Sequence, residues 1–177
     1  KDTEKLNELS ENNKEQMQEL TETAVQNAEN TAEDSQLIAN VVAVVSDEVV
    51  NEIMEEVSKT STDEKQTLSA KVLKAIVDTE PDKMEIINDD VKDTMIEQTI
   101  EATKNQQESS DISTEEDLTN IVAEIIVNTD SETAAKIIDE VNETETDSNL
   151  SLKVISGISE KDSEKLDTLS ENNKEQI

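Results

Sequence analysis

Residues 3–17 read TEKLNELSENNKEQM, and residues 163–177 read SEKLDTLSENNKEQI. Eleven of these fifteen positions are identical, and the two stretches stand 160 residues apart. Near-identity at a fixed offset is the mark of a tandem repeat, and a repeat constrains architecture before any local reading does. The chain therefore reads as one turn of a longer tandem array, with roughly one helix of overlap.

A fainter half-period lies inside. LIANVV at 37–42 matches IVAEII at 121–126, and IMEEV at 53–57 matches IIDEV at 137–141, both at an offset of 84. TLSAKVLKAI at 67–76 matches NLSLKVISGI at 149–158 at an offset of 82. The expected organisation is a long helix at 1–32 shared with the preceding repeat, a first subunit at 33–112, and a second at 113–177 running into the next repeat. The stretch QQESSDIS at 106–113 is the expected linker.

Cap signals recur every 16 or 17 residues. Ser46-Asp47-Glu48, Thr62-Asp63-Glu64 and Thr79-Glu80-Pro81 form one set; Ser113-Thr114-Glu115, Asp130-Ser131-Glu132 and Thr146-Asp147 form another. A Ser, Thr or Asp oxygen can accept from a free first-turn N–H, and acids then face the positive helix end. Pro81 suits a first helical position, where its missing N–H costs nothing.

Between the caps the apolar residues fall at helical spacing. Val49, Val50, Ile53, Met54 and Val57 make one stripe; Leu68, Val72, Leu73, Ile76 and Val77 make the next. In the second subunit the stripes are Ile121, Val122, Ile125 and Ile126, then Ala134, Ile137, Ile138 and Val141, then Leu152, Ile155 and Ile158. The i, i+1, i+4, i+5 pattern is wide enough to touch more than one neighbour. Two segments differ. Residues 82–107 read as one long helix with a thin seam (Met84, Ile87, Val91, Met95), and 2–30 as its counterpart (Leu6, Leu9, Met17, Leu20, Ala24, Ala28), with Asn13 on the seam. Alternation and Asn-Gly hairpin turns are absent. The expected fold is all-α: an elongated, α-solenoid-like tandem array of short helices in subunits of about 80 residues. Gly157 aligns with Ala75, and its missing side chain should allow a close helix approach.

Composition excludes most chemistry. There are 45 acids, 15 lysines and no Arg, His, Cys or aromatic residue, for a net charge of −30, with one Gly and one Pro. Zinc sites, Cys or His-dependent nucleophiles, base-stacking platforms and bidentate phosphate grips all lack their residues. One Gly is too few for a P-loop or a dinucleotide fingerprint. The charge repels nucleic acid and anionic membranes. The longest apolar run, residues 41–45, is far below the ~18 residues of a membrane span.

The acidic pairs Glu55-Glu56 and Asp89-Asp90 and the triplet Glu115-Glu116-Asp117 lack the alternating, Gly-containing spacing of a Ca²⁺ loop, so they read as solvated faces. Asn142-Glu143-Thr144 and Asn149-Leu150-Ser151 are glycosylation sequons of a kind an Asn- and Thr-rich chain produces by chance. Met17, Met54, Met84 and Met95 read as core filler. No residue is expected to catalyse, bind a cofactor or hold a metal. The expected function is structural: an acidic helical spacer, stalk or fibre within a much longer protein; the sequence does not fix the compartment, and an extracellular or cell-surface location is favoured. Its expected partners are neighbouring repeats of the same chain and copies of itself, without nucleic acid, transmembrane segment or small-molecule substrate. A self-assembling filament subunit and a protein-binding solenoid are the alternatives; the absence of Trp, Tyr and Arg weighs against the second.

Overall fold

The computed structural model describes residues 19, 23–61, 67–108, 117–143 and 148–172. Among them every regular element is helical: α1 (Ala32–Val42), α2 (Asp47–Thr60), α3 (Leu68–Thr79), a 3₁₀ turn (Pro81–Glu85), α4 (Asp89–Glu108), α5 (Leu118–Asn128), α6 (Ser131–Glu143), α7 (Ser148–Lys161) and α8 (Ser163–Asn172). The chain divides into two compact units, Lys1–Gln98 and Thr99–Ile177, and the division falls within α4.

In the first unit α1 packs chiefly on α3, α2 leans on both, and the 3₁₀ turn closes against α3. Chain entry into α1 is set by Asn30, which sits at φ 61°. Asn is one of the few side chains that tolerates this left-handed conformation. Its amide group exchanges hydrogen bonds with the Thr67 hydroxyl (2.7 and 3.0 Å), and its carbonyl accepts from Lys71 Nζ at 2.7 Å. Thr31 then caps α1: its Oγ1 accepts from Asp34 N–H at 3.1 Å and donates back to Asp34 Oδ2 at 2.8 Å. The stripes expected on α2 and α3 are buried residue for residue. Ile38, Ala39 and Val42 supply the facing side of α1. Each such fully buried aliphatic side chain contributes roughly 1.5–3 kcal/mol.

The single long helix expected over 82–107 is broken. The 3₁₀ turn beginning at Pro81 ends at Glu85, and α4 starts at Asp89. The break is held from a distance: Asn51 of α2 donates to Ile86 O (3.1 Å) and accepts from Asn88 N–H (2.6 Å). These bonds satisfy backbone groups that a continuous helix would have paired internally. With 20 residues, α4 is about 30 Å long. Its seam is also wider than expected: Ile96, Thr99, Ile100, Ala102 and Thr103 are buried alongside Met95, with Thr103 Oγ1 donating to Thr99 O at 2.7 Å. Residues 106–108 of the expected linker belong to this helix. Gln106 Oε1 accepts from Leu118 N–H at 3.0 Å, at the start of α5.

The second unit repeats the order of contacts. Here α5 packs chiefly on α7, α6 touches both, and α8 lies against α7 and α6. Asp117 caps α5 by accepting from Thr119 N–H (3.0 Å). Asp130 caps α6 by accepting from Glu132 N–H (2.8 Å), Thr133 N–H (2.9 Å) and Thr133 Oγ1 (2.6 Å). Asp162 caps α8 through Glu164 and Lys165 N–H, both at 3.0 Å. Only the Asp130 cap was among the expected signals. Ser46 stands at the expected N-cap of α2 but makes no side-chain cap bond. The signals at 62–64, 113–115 and 146–147 lie outside the described residues.

The stripe expected on α7 needs correction. Leu150, Val154 and Ile158 are buried, whereas Leu152 and Ile155 face outward. At about 100° per residue, positions 150, 154, 157 and 158 share one side of the helix and 152 falls on another. Most of 1–30, including Asn13 and Met17, lies outside the described residues, which there comprise residue 19 and 23–30. The helix expected over 1–32 is interrupted there, since 28–31 are not helical, and of its seam Ala28 is buried while Ala24 is exposed and Val25 is buried instead.

Candidate functional site

The acidic residues described are engaged locally. On α2, Glu55 is exposed and pairs with Lys59 at 2.6 Å; Glu56 accepts from Gln26 Nε2 at 2.7 Å. Asp89 and Asp90 lie in the exposed first turn of α4, with Asp89 3.4 Å from Lys92 Nζ. Asp117 is a helix cap, and Glu115 and Glu116 lie outside the described residues. Among the described residues no three Asp or Glu side chains come together as a metal-binding group, and no helix is long and apolar enough to cross a membrane. One carboxylate oxygen there, Glu52 Oε2, is buried without a hydrogen-bond partner. Met54, Met84 and Met95 are buried in the core. Asn142, of the first sequon, is exposed and accepts from Ser151 Oγ at 3.1 Å.

Helix contacts, rather than reactive groups, form the distinctive geometry. A Cβ built on Gly157 of α7 would stand 2.8 Å from Ala123 Cβ of α5. Carbon atoms in contact prefer ~3.5–4.0 Å, so α5 and α7 approach more closely than an alanine there would allow. In the first unit the aligned residues are Ala39 and Ala75, both buried on the paired helices α1 and α3.

Two lysines play matching parts. Lys83 Nζ reaches Val45 O at 3.3 Å, just beyond α1, and Lys165 Nζ reaches Thr129 O at 2.6 Å, just beyond α5. An ammonium at a helix C-terminus satisfies a free carbonyl and meets the negative end of the helix dipole. The sequence carries this signal in DKME at 82–85 and EKLD at 164–167, an offset of 82.

Among the described residues, three large apolar side chains stand in water: Leu37 on α1 (63% exposed) and Leu152 and Ile155 on α7 (63% and 43%). Their aligned partners are buried. Ile121, opposite Leu37 in the alignment, is 0% exposed, as are Ala70 and Leu73, opposite Leu152 and Ile155.

No family model, curated protein or solved structure matches the chain.

Proposed function

We propose that the chain is a structural, non-catalytic tandem-repeat segment of a much longer protein, acting as an extended acidic helical spacer, stalk or fibre. The observation that carries this reading is the recurrence of TEKLNELSENNKEQM at 3–17 as SEKLDTLSENNKEQI at 163–177. Further support comes from matched details at the half-period: α1 on α3 and α5 on α7, Lys83 on Val45 O and Lys165 on Thr129 O. In a solenoid each unit contacts its neighbours alone, so reach grows with the number of units. A net charge of −30 keeps such a rod soluble and resists lateral collapse. The mechanism is mechanical: helices set a spacing that copy number multiplies.

Small-angle scattering with light-scattering mass, on chains of one and of two 160-residue repeats, tests the reading. The expected result is monomers whose maximum dimension rises in proportion to repeat number. A two-repeat chain no longer than a single repeat would sink it.

The exposed Leu37, Leu152 and Ile155 favour a second reading, a filament or scaffold subunit assembled from separate chains. Defined oligomers or salt-promoted polymers of the single-repeat chain are its signature.

A further inference from the structure

We propose that residues 2–12 are a second α8: a segment that packs on the α6–α7 face of another copy as α8 packs on its own, so that copies join by exchange of one helix. The inference rests on the tandem-repeat reading and deepens it by naming the element through which copies meet.

In the second unit α8 lies against α7 and α6, and one side of it is covered. Asp162 caps its first turn, and Lys165 Nζ donates to Thr129 O at 2.6 Å. Lys165 and Leu166 are half-buried, and Leu169 is buried. Positions 162, 165, 166 and 169 follow the i, i+3, i+4, i+7 spacing of a single helical face. Residues 1–12 read KDTEKLNELSEN, against KDSEKLDTLSEN at 161–172. Asp2, Lys5, Leu6 and Leu9 stand at the four covered positions, and all four are unchanged. The three differences, Thr3 for Ser163, Asn7 for Asp167 and Glu8 for Thr168, fall where α8 is exposed. Drift between helices that merely share an acidic composition would not spare the covered side. Residues 1–12 lie outside the described residues, and this position-by-position match to α8 is what assigns them a partner.

The match names both sides of the contact. The donor is 2–12, and the receiving surface is the one that α8 covers, with Thr129 O accepting from Lys5 in place of Lys165. Lys1 stands where Lys161 lies 3.4 Å from Glu124 of α5. Within one chain a single residue, Asp162, joins α7 to α8, so a high effective concentration keeps the face occupied by its own helix. Exchange of an identical element between copies is a low-cost route to association. Donor and face are different parts of the chain, so the contact is heterologous and propagates head to tail.

Two full-length chains test the exchange. The acceptor carries Leu166→Glu and Leu169→Glu, which expel α8, together with Leu6→Glu and Leu9→Glu, which disable its own donor segment. The donor is the unaltered chain. Each alone should be monomeric. Mixed at ~0.5 M salt, which shortens the range of repulsion between acidic chains, they should give a one-to-one complex of twice the monomer mass by light scattering. Leu9→Glu in the donor should abolish that complex. The amide signal of Gly157, the one glycine of the chain, reports whether α5 and α7 stay in contact in the acceptor. Should the glutamates erase it, Leu166→Ala and Leu169→Ala take their place. No complex with the Gly157 signal retained, or a complex that survives Leu9→Glu in the donor, overturns the proposal. Should the complex fail while two-repeat chains still scale in length, the spacer reading stands and the exchange falls. A complex without that scaling would do the reverse.

Discussion

Gly157 and Ala123 meet across α7 and α5 so closely that a methyl group on Gly157 would lie 2.8 Å from the alanine Cβ. Neither side can yield cheaply, since an alanine Cβ moves only with its backbone. Glycine within a helix is destabilising by about 1 kcal/mol relative to alanine, so the close approach must offset that cost. Replacing Gly157 with Ala should therefore lower stability by up to about 2 kcal/mol despite the better propensity, because overpacking typically costs about 1–3 kcal/mol and the propensity gain offsets about 1 of it. The swapped pair Gly157→Ala with Ala123→Gly should recover at least about 1 kcal/mol of the summed losses, as contacting residues couple on that scale. Urea denaturation of the four chains measures the cycle. Additive losses would mean that the two residues do not set the approach.

Lys83→Met and Lys165→Met should be similarly harmful, at about 1–2 kcal/mol each, since both remove a charged donor from a helix-terminal carbonyl. The Lys83 ammonium is also 3.7 Å from Asp47, but that carboxylate is largely in water and the pair contributes little. Lys59→Met is the control. It makes the same charge change and breaks the exposed pair with Glu55, for about 0.5 kcal/mol or less. Equal losses at all three lysines would assign the effect to net charge instead of to the carbonyl bonds.

Asp130→Ala should cost about 1–2 kcal/mol, because three donors of the first turn of α6 lose their acceptor. Ser46→Ala, at the N-cap of α2 without a side-chain bond, should cost less than about 0.5 kcal/mol. Thermal unfolding of the two variants ranks them, and the reverse order would contradict the cap assignments.

Stability should rise with added salt. Repulsion among the unbalanced acids of a −30 chain acts across the whole surface, whereas Glu55–Lys59 and Asp89–Lys92 expose their carboxylates to water. Raising salt from ~0.02 to ~0.5 M shortens the screening length severalfold and relieves the repulsion more than it weakens such pairs. The unfolding midpoint should move upward by several degrees. A flat or falling midpoint would show that ion pairs outweigh the net charge.

Much of the helical plan was legible because it is local. The stripes Val49 to Val57 and Leu68 to Val77 are buried as their spacing implied, and Pro81 opens a helical turn as its fixed φ implied. Asp130 caps α6 where the motif stood. The Thr31 and Asp117 caps lie off the expected 17-residue rhythm, whereas Asp162, 16 residues after Thr146, continues it. The break between the 3₁₀ turn and α4 could not be read from 82–107 at all, since Asn51 makes it from 35 and 37 residues away. Nor could the outward turn of Leu152 and Ile155, which the spacing counts as stripe members on equal terms with Ile158.

The sequence by itself determined the all-helical character, the recurrence of residues 3–17 at 163–177 and the absence of Arg, His, Cys and aromatic side chains. Helical periodicity, cap chemistry and composition are properties of neighbouring residues or of the whole chain, and need no tertiary partner. Tertiary structure alone decided which side of a broad apolar helix is covered. On α7 the contact of Gly157 with Ala123 turns Leu150, Val154 and Ile158 inward and leaves Leu152 and Ile155 in water. A stripe wide enough for two neighbours specifies a helix, but only the neighbour that arrives specifies its face.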